Sequence, residues 1–418
     1  MLPYITYFQI FSSIFTCVVL TFFPNVITYK QMAILIAIAS AIVLVPKVFK
    51  QKGVSLGTIM TCFLCLIVVV LYYLTSGLYG RLSNIYNSFM LVLCGQMVPI
   101  VLCSTFVAQS KEIQLKIKRL SPIVACLFSI IAFLAAFSPT STTSGGYMMN
   151  DNGLNYQNTS YMAAYATAFC LYYILCYNEI EWNKYIKNRI CLVLMIAFVF
   201  INFSTILIAG GRGGLALFIT QISFALYIYI KRRGRNSLQQ VMKYLLLTIL
   251  ITGIVLLIVN YAENSTIKTN GYERILATIK KGDSNGRNIL RDKAIECFQN
   301  KPVLGHGFGS VFYEMGIYSH NCITDALLEI GVVGCGIYIF FLIYACKEGF
   351  KMLNNDFTDY IWLVIFLDGF VMSLFSGYYI TQIPTFWAAT FLLNAKSQRK
   401  MEDNNETDYN SIKHYPEM

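Results

Sequence analysis

The residues best equipped for chemistry fall in one stretch of the chain. Gly210-Gly211-Arg212-Gly213-Gly214 joins two apolar runs. Glycines let backbone N–H groups approach an anion, and a helix N-terminus adds partial positive charge. Arg offers a planar fork that matches phosphate oxygens. A tight hairpin whose Arg merely reaches the headgroups would use the same residues. Further on, residues 286–299, GRNILRDKAIECFQ, read as an amphipathic helix. Leu290, Ala294 and Phe298 (or Cys297) lie on one stripe, and Arg287 and Arg291, four apart, share a face. Two guanidinium groups on one face could clamp a diphosphate. A helix lying on the bilayer, basic face on anionic lipid, would have the same pattern.

The stretch Pro302-Val303-Leu304-Gly305-His306-Gly307-Phe308-Gly309 follows. Its glycines permit close backbone approach, and it lacks the Gly-Lys-Ser/Thr end of a nucleotide phosphate loop. Ser319-His320-Asn321 then opens an apolar run. His320 is one of three histidines, with His306 and His414. Beside a basic loop at a membrane edge it can take a proton from a hydroxyl or donate a hydrogen bond. Capping the helix start is its plainer use. Asp325 and Glu329 lie four apart within that run. Intramembrane carboxylates are costly and usually face a cavity or a partner. The loop arginines are candidate partners, and a proton path is the alternative. Asp368 is a weaker case of the same kind. Loop 140–158, rich in Ser, Thr, Asn and Gly, suits sugar hydroxyls or an ordinary solvated turn.

Elements that could position these groups must be membrane helices. Of 418 residues, 56% are hydrophobic and only 13% charged, and the mean hydropathy is +0.58. A soluble domain carries about 25% charge, so a soluble globule is excluded, as are disordered, collagenous and disulfide-rich secreted chains. A span needs about 20 apolar residues. About twelve runs qualify: 4–24, 32–49, 55–76, 88–108, 121–139, 159–177, 190–209, 213–230, 242–260, 321–345, 359–377 and the short 382–394. The expected fold is an all-α polytopic membrane protein, one transmembrane domain over 1–395 with a cytoplasmic polar tail, 396–418.

Charge sets the orientation. With the N-terminus inside, inner loops hold Lys47, Lys50 and Lys52; Lys111, Lys116, Lys118 and Arg119; and Lys184, Lys187 and Arg189. Lys231, Arg232, Arg233, Arg235, Lys243, Lys347 and Lys351 fall on the same side. Among short outer loops only Lys30, Arg81 and Arg212 remain, and the long outer loop 261–319 is exempt from the charge rule. Both termini are therefore expected in the cytoplasm. The net charge of +11 reads as topology rather than a nucleic-acid footprint. Most of the 13 cysteines lie in apolar runs, as small hydrophobes. Cys62-x-x-Cys65 has no second ligand pair, and a Cys297–Cys322 disulfide stays open at this level.

The order of these motifs resembles the bacterial O-antigen ligase and O-antigen polymerase superfamily. The likeness runs from about 204 to 345: a Gly-Arg-Gly turn opening GGRGGLALFITQI, a Gly-Arg amphipathic helix, a Pro-x-x-Gly-x-Gly stretch, then SHNCITDALLEIGVVGCGIYIF. Gly211 stands where Ser or Thr commonly precedes the arginine. The resemblance implies a metal-independent glycosyltransferase of the all-helical GT-C type, without cofactor, in the bacterial inner membrane. It implies transfer of a glycan from undecaprenyl diphosphate to an acceptor glycolipid hydroxyl on the periplasmic face. By position, Arg212 and Arg287 would hold the lipid diphosphate, and His320 would activate the acceptor or steady the leaving group. Arg291, His306, Asn321, Asp325 and Glu329 would support substrate.

A polymerase and a ligase need the same donor site. The compact long loop favours a polymerase, with a chain-length regulator as a candidate partner. A lipid-linked oligosaccharide flippase is the rival of a different class. It would place charged groups along a central cavity, whereas here they gather toward the outer side.

Overall fold

A computed structural model describes residues 1–22, 29–50, 97–136, 155–232, 286–307, 309–379 and 382–395. Runs 55–76 and 242–260, most of loop 140–158 and the 396–418 tail lie outside these residues. Within them the regular structure is entirely helical. In chain order the helices are α1 (Leu2–Ile10), α2 (Ser12–Phe22), α3 (Tyr29–Lys50), α4 (Val98–Ala108) and α5 (Lys111–Ala136). They continue with α6 (Tyr156–Cys176), α7 (Arg189–Ala209), α8 (Arg212–Arg232), α9 (Arg287–Asn300) and α10 (Ser310–Met315). Then come α11 (Cys322–Asn355), α12 (Tyr360–Ser376) and α13 (Ile383–Ala395).

Among the described residues, 6 helices are long and apolar enough to cross a membrane, or 7 if the bent pair α1–α2 is one span. That describes a multi-pass membrane protein. Several starts are set by asparagine. Asn155 accepts from Gln157 N and Asn158 N at 2.9 Å, and Asn188 accepts from Ile190 N at 3.0 Å. These side chains satisfy N–H groups that have no partner within the first turn.

Helix α6 is the axis of the bundle. It is the least apolar of the long helices yet 83% buried, against 28% for α7. A helix surrounded by helices meets no lipid, so small and hydroxylated residues suffice there. Ala163, Ala164, Ala166, Ser160 and Thr167 are all fully buried. Around it pack α5, α7, α8 and α12.

Two expectations change here. The run 4–24 is not one straight helix but two, bent by 76° at Phe11. The Phe11 ring sits in an aromatic nest, 5.1 Å from Phe128, 5.3 Å from Tyr165 and 5.8 Å from Phe169. Tertiary packing, not a Pro or Gly, fixes this bend. The run 321–345 extends to Asn355 but breaks inside, at Gly331 with φ 64° and ψ −171°. Lys118, counted above as a loop cation, is buried within α5. It bonds Asp359 at 2.7 Å and Asp356 at 3.2 Å, tying α5 to the turn before α12.

Candidate active site

The break in α11 creates free backbone groups, and loop 302–307 takes them. His306 N–H donates to Leu328 O at 2.9 Å and Gly307 N–H to Glu329 O at 2.8 Å. In return Val332 N–H donates to Pro302 O at 2.8 Å. Buried backbone groups need partners, and here a loop replaces the lost helical ones. Such an approach requires bare backbones. A Cβ on Gly305 would lie 2.4 Å from the Glu329 carbonyl, and one on Gly331 2.3 Å from Val303 O. Gly305 of the Pro-x-x-Gly-His-Gly stretch thus seats it on α11.

His306 pins this strap. Its Nε2 bonds the Cys297 carbonyl oxygen at 2.8 Å, and its Nδ1 stands 3.5 Å from Glu314 Oε1. It joins α9, the strap and α10. Glu329 is fully buried and serves a similar end. Its Oε2 accepts from Tyr378 at 2.6 Å and Tyr379 at 2.9 Å, and its Oε1 from Val311 N–H at 3.2 Å. The suggested pairing with the loop arginines is not the arrangement found: tyrosine hydroxyls and a backbone N–H fill its lone pairs.

Two sequence-predicted residues bond the C-terminal end of α12. Arg287 Nη1 donates to Phe375 O at 2.8 Å, and Asn321 Nδ2 to Leu374 O at 3.2 Å. These last-turn carbonyls have no helical partner and carry partial negative charge. Asn321 also caps α11, accepting from Ile323 N and Thr324 N at 3.0 and 3.2 Å. The residue after Arg212 packs against the same end. A Cβ on Gly213 would stand 1.8 Å from Tyr161 Oη and 3.1 Å from the Phe375 Cβ. Tyr161 in turn donates to Ser376 Oγ at 2.9 Å.

The glycines flanking Arg212 have a packing role. Gly211 and Gly214 press on Ser160, where added Cβ atoms would fall 1.7 and 2.6 Å from its side chain. Gly210 ends α7 in the left-handed region at φ 75°, which suits a residue without Cβ. Three glycines therefore let α8 close on α6, and the Gly210 turn sets Arg212 at the first position of α8. The glycines read from sequence as an anion cradle are thus taken up in helix packing.

Helix α9 also differs from its bilayer-lying alternative. Arg287, Leu290, Arg291 and Cys297 are half-buried and Ala294 is fully buried, whereas Asn288, Ile289, Asp292 and Lys293 are exposed. Both arginines lie on the inward stripe, against α11. Arg291 Nε is buried with no hydrogen-bond partner.

His320 sits where these elements converge. Alone among the described non-glycine residues it has positive φ, 61°, a conformation uncommon for a side-chain-bearing residue. Asp325 holds the turn: its Oδ1 accepts from Ser319 N–H at 2.8 Å. The ring of Tyr318 packs 4.5 Å from the imidazole. Burial, and then the charges of Arg287 and Arg291, push His320 down to about 4. The imidazole is therefore neutral at pH 7, with a ring nitrogen able to accept a proton. Its Nδ1 is buried and has no partner. Cys297 and Cys322 are both free thiols, and Cys322 Sγ accepts from Ser373 Oγ at 3.1 Å, so the disulfide left open by the sequence does not form.

Sequence reasoning missed Tyr378, Tyr379, Ser160, Tyr161 and Gln221. Gln221 Nε2 donates to the buried Asp368 Oδ1 at 2.6 Å, which answers the question of that intramembrane carboxylate's partner. Only the Tyr378-Tyr379 pair, directly after the end of an apolar run, offered a signal in sequence.

No curated protein matches this chain. Residues 197–339 match the family model described as O-antigen ligase. The match covers about a third of the chain and contains Arg212, Arg287, Arg291, His306, His320, Asn321, Asp325 and Glu329. Residues 197–339, which carry every site residue predicted from the sequence, are thus similar to the O-antigen ligase family.

Proposed function

We propose that this protein is a membrane glycosyltransferase that moves a glycan from undecaprenyl diphosphate to the hydroxyl of a second lipid-linked repeat unit. The observation that carries it is the neutral His320, held beside Arg287 and Arg291 at the end of the bundle where α8 begins with Arg212. Electron pairs move in a simple order. The acceptor oxygen bonds the anomeric carbon and gives its proton to His320, while the bond from that carbon to the diphosphate oxygen breaks. Charge then grows on the leaving diphosphate, and the guanidinium groups stabilise it. A bound diphosphate also offsets the arginine charges at His320, so the imidazole is a stronger base in the complex than in the free protein. The orientation expected from the basic loops supports reading this end as periplasmic, in a bacterial inner membrane. No metal enters this scheme.

A ligase reading, with lipid A-core as acceptor, has the matched family's description in its favour. Deleting the gene separates the two. Loss of the glycan ladder, with a single repeat unit still on lipid A-core, is the polymerase result. Full-length glycan left on its carrier, with bare lipid A-core, is the ligase result. An unchanged glycan profile would overturn both.

A further inference from the structure

The end of the bundle opposite His320 contains a cavity of about 1060 Å³. Helix α6 links the two places. Ser160 and Tyr161 lie under the Arg212 turn, and the far end of the helix, about 24 Å away at 1.5 Å per residue, leads into Trp182 at the cavity. Leu2, Pro3, Ile42, Val43, Leu120 and Ile123 form apolar walls. Ile42 and Ile123 are 67% and 46% exposed, so the wall runs on into the lipid-facing surface. Charge gathers on the same cavity as Lys47, Lys116, Arg119 and Glu181. Lys116 bonds Glu112 and Arg119 lies 3.6 Å from Glu181, but Glu112 and Glu181 are largely exposed and such pairs are weak. The Arg119 Nε is buried without a partner.

We propose that this cavity seats the phosphodiester headgroup of an anionic phospholipid from the leaflet opposite the transfer site. The phosphate would lie among Lys47, Lys116 and Arg119, with the acyl chains along Ile42 and Ile123. Basic pockets between membrane helices take anionic headgroups in this way. A free phosphate has the matching charge but leaves the apolar walls wet. The site lies on α1, α3 and α5, outside residues 197–339, and stands whether or not the transfer reaction is as proposed.

The test uses the purified full chain, exchanged into detergent with phosphatidylglycerol or phosphatidylcholine, with retained lipid measured by native mass spectrometry. Phosphatidylglycerol should be retained about tenfold or more over phosphatidylcholine, and raised salt should narrow that preference. The combined variant Lys47→Gln, Lys116→Gln, Arg119→Gln should lose it. Ile123→Trp, which narrows the mouth without touching charge, should lower retention as well and serves if the triple variant does not fold. Equal retention of the two lipids by the unaltered protein would overturn the proposal. So would displacement of the lipid by millimolar inorganic phosphate, which would make the site one for a free anion.

Discussion

The backbones of Gly305 and Gly331 touch: a Cβ on either would lie 2.6 Å from the other's amide nitrogen. Both have positive φ, 72° and 64°, and Gly331 occupies a region open essentially to glycine alone. Gly331→Ala should therefore cost at least about 1–3 kcal/mol from backbone strain, before the clash is counted. The check is the loss of monodisperse protein on heating in detergent. Gly336→Ala, at a helical glycine with open space around it, is the matched control and should be near neutral.

His320 should report its surroundings through pH. As a proton acceptor it must be neutral, and in the free protein its pKa is about 4. The profile of kcat/KM, which follows the free protein, should stay flat as pH falls toward 5 and decline only near 4. The kcat profile, which follows the complex, should lose activity at higher pH. Arg291 is one of the three causes of the depression, so Arg291→Gln should move the kcat/KM limb upward. An Asn substitution at 320 tolerates the left-handed backbone and should fold normally while transferring no glycan.

The arginines should separate into two kinds. Arg291 has no hydrogen bond at its buried Nε, and Arg287 bonds Phe375 O. Arg291→Ala should thus lower transfer about 100- to 1000-fold, the usual loss for one charge-stabilising group, with little change in stability. Arg287→Ala should lose transfer to a similar degree and also destabilise by about 1–3 kcal/mol, because a helix-end carbonyl loses its donor. Lys at 287 should restore neither fully, since a single ammonium cannot reproduce the fork. Glycan transfer in proteoliposomes and thermal unfolding, measured on the same preparations, distinguish the cases.

Asp325 Oδ1 accepts from the Ser319 N–H, and two substitutions separate this positioning role from contact with substrate. Asp325→Asn keeps a side-chain oxygen for the Ser319 N–H and should retain transfer within about tenfold. Asp325→Ala removes that acceptor and frees the His320 turn. It should lower kcat while leaving KM for the lipid donor unchanged. A rise in KM with kcat intact would instead mark Asp325 as a donor-binding group.

Much of the helical frame was legible because the apolar runs in this region are long and end at polar caps. The runs 159–177, 190–209 and 213–230 correspond closely to α6, α7 and α8, and the helix read at 286–299 is α9. The roles of the glycines were not legible. A Gly-rich turn around an arginine looks alike whether it cradles an anion or packs on Ser160, and only the neighbouring helix decides. The bend at Phe11 left no mark either, since it follows from aromatic partners more than 100 positions away in the chain. Glu329 showed that a buried carboxylate was present, but its tyrosine partners lie 49 and 50 positions further on.

The strap on α11 is joined backbone to backbone, through Pro302, Val303, His306 and Gly307, while the side chains of Val303 and Leu304 remain 61% and 73% exposed. Such a splice is indifferent to spelling and strict about length. Replacing Val303 or Leu304 by another residue leaves every donor opposite its acceptor. Inserting or deleting one residue between Lys301 and Gly307 would put the whole set out of step, and the arginine helix before it would be carried out of place with it.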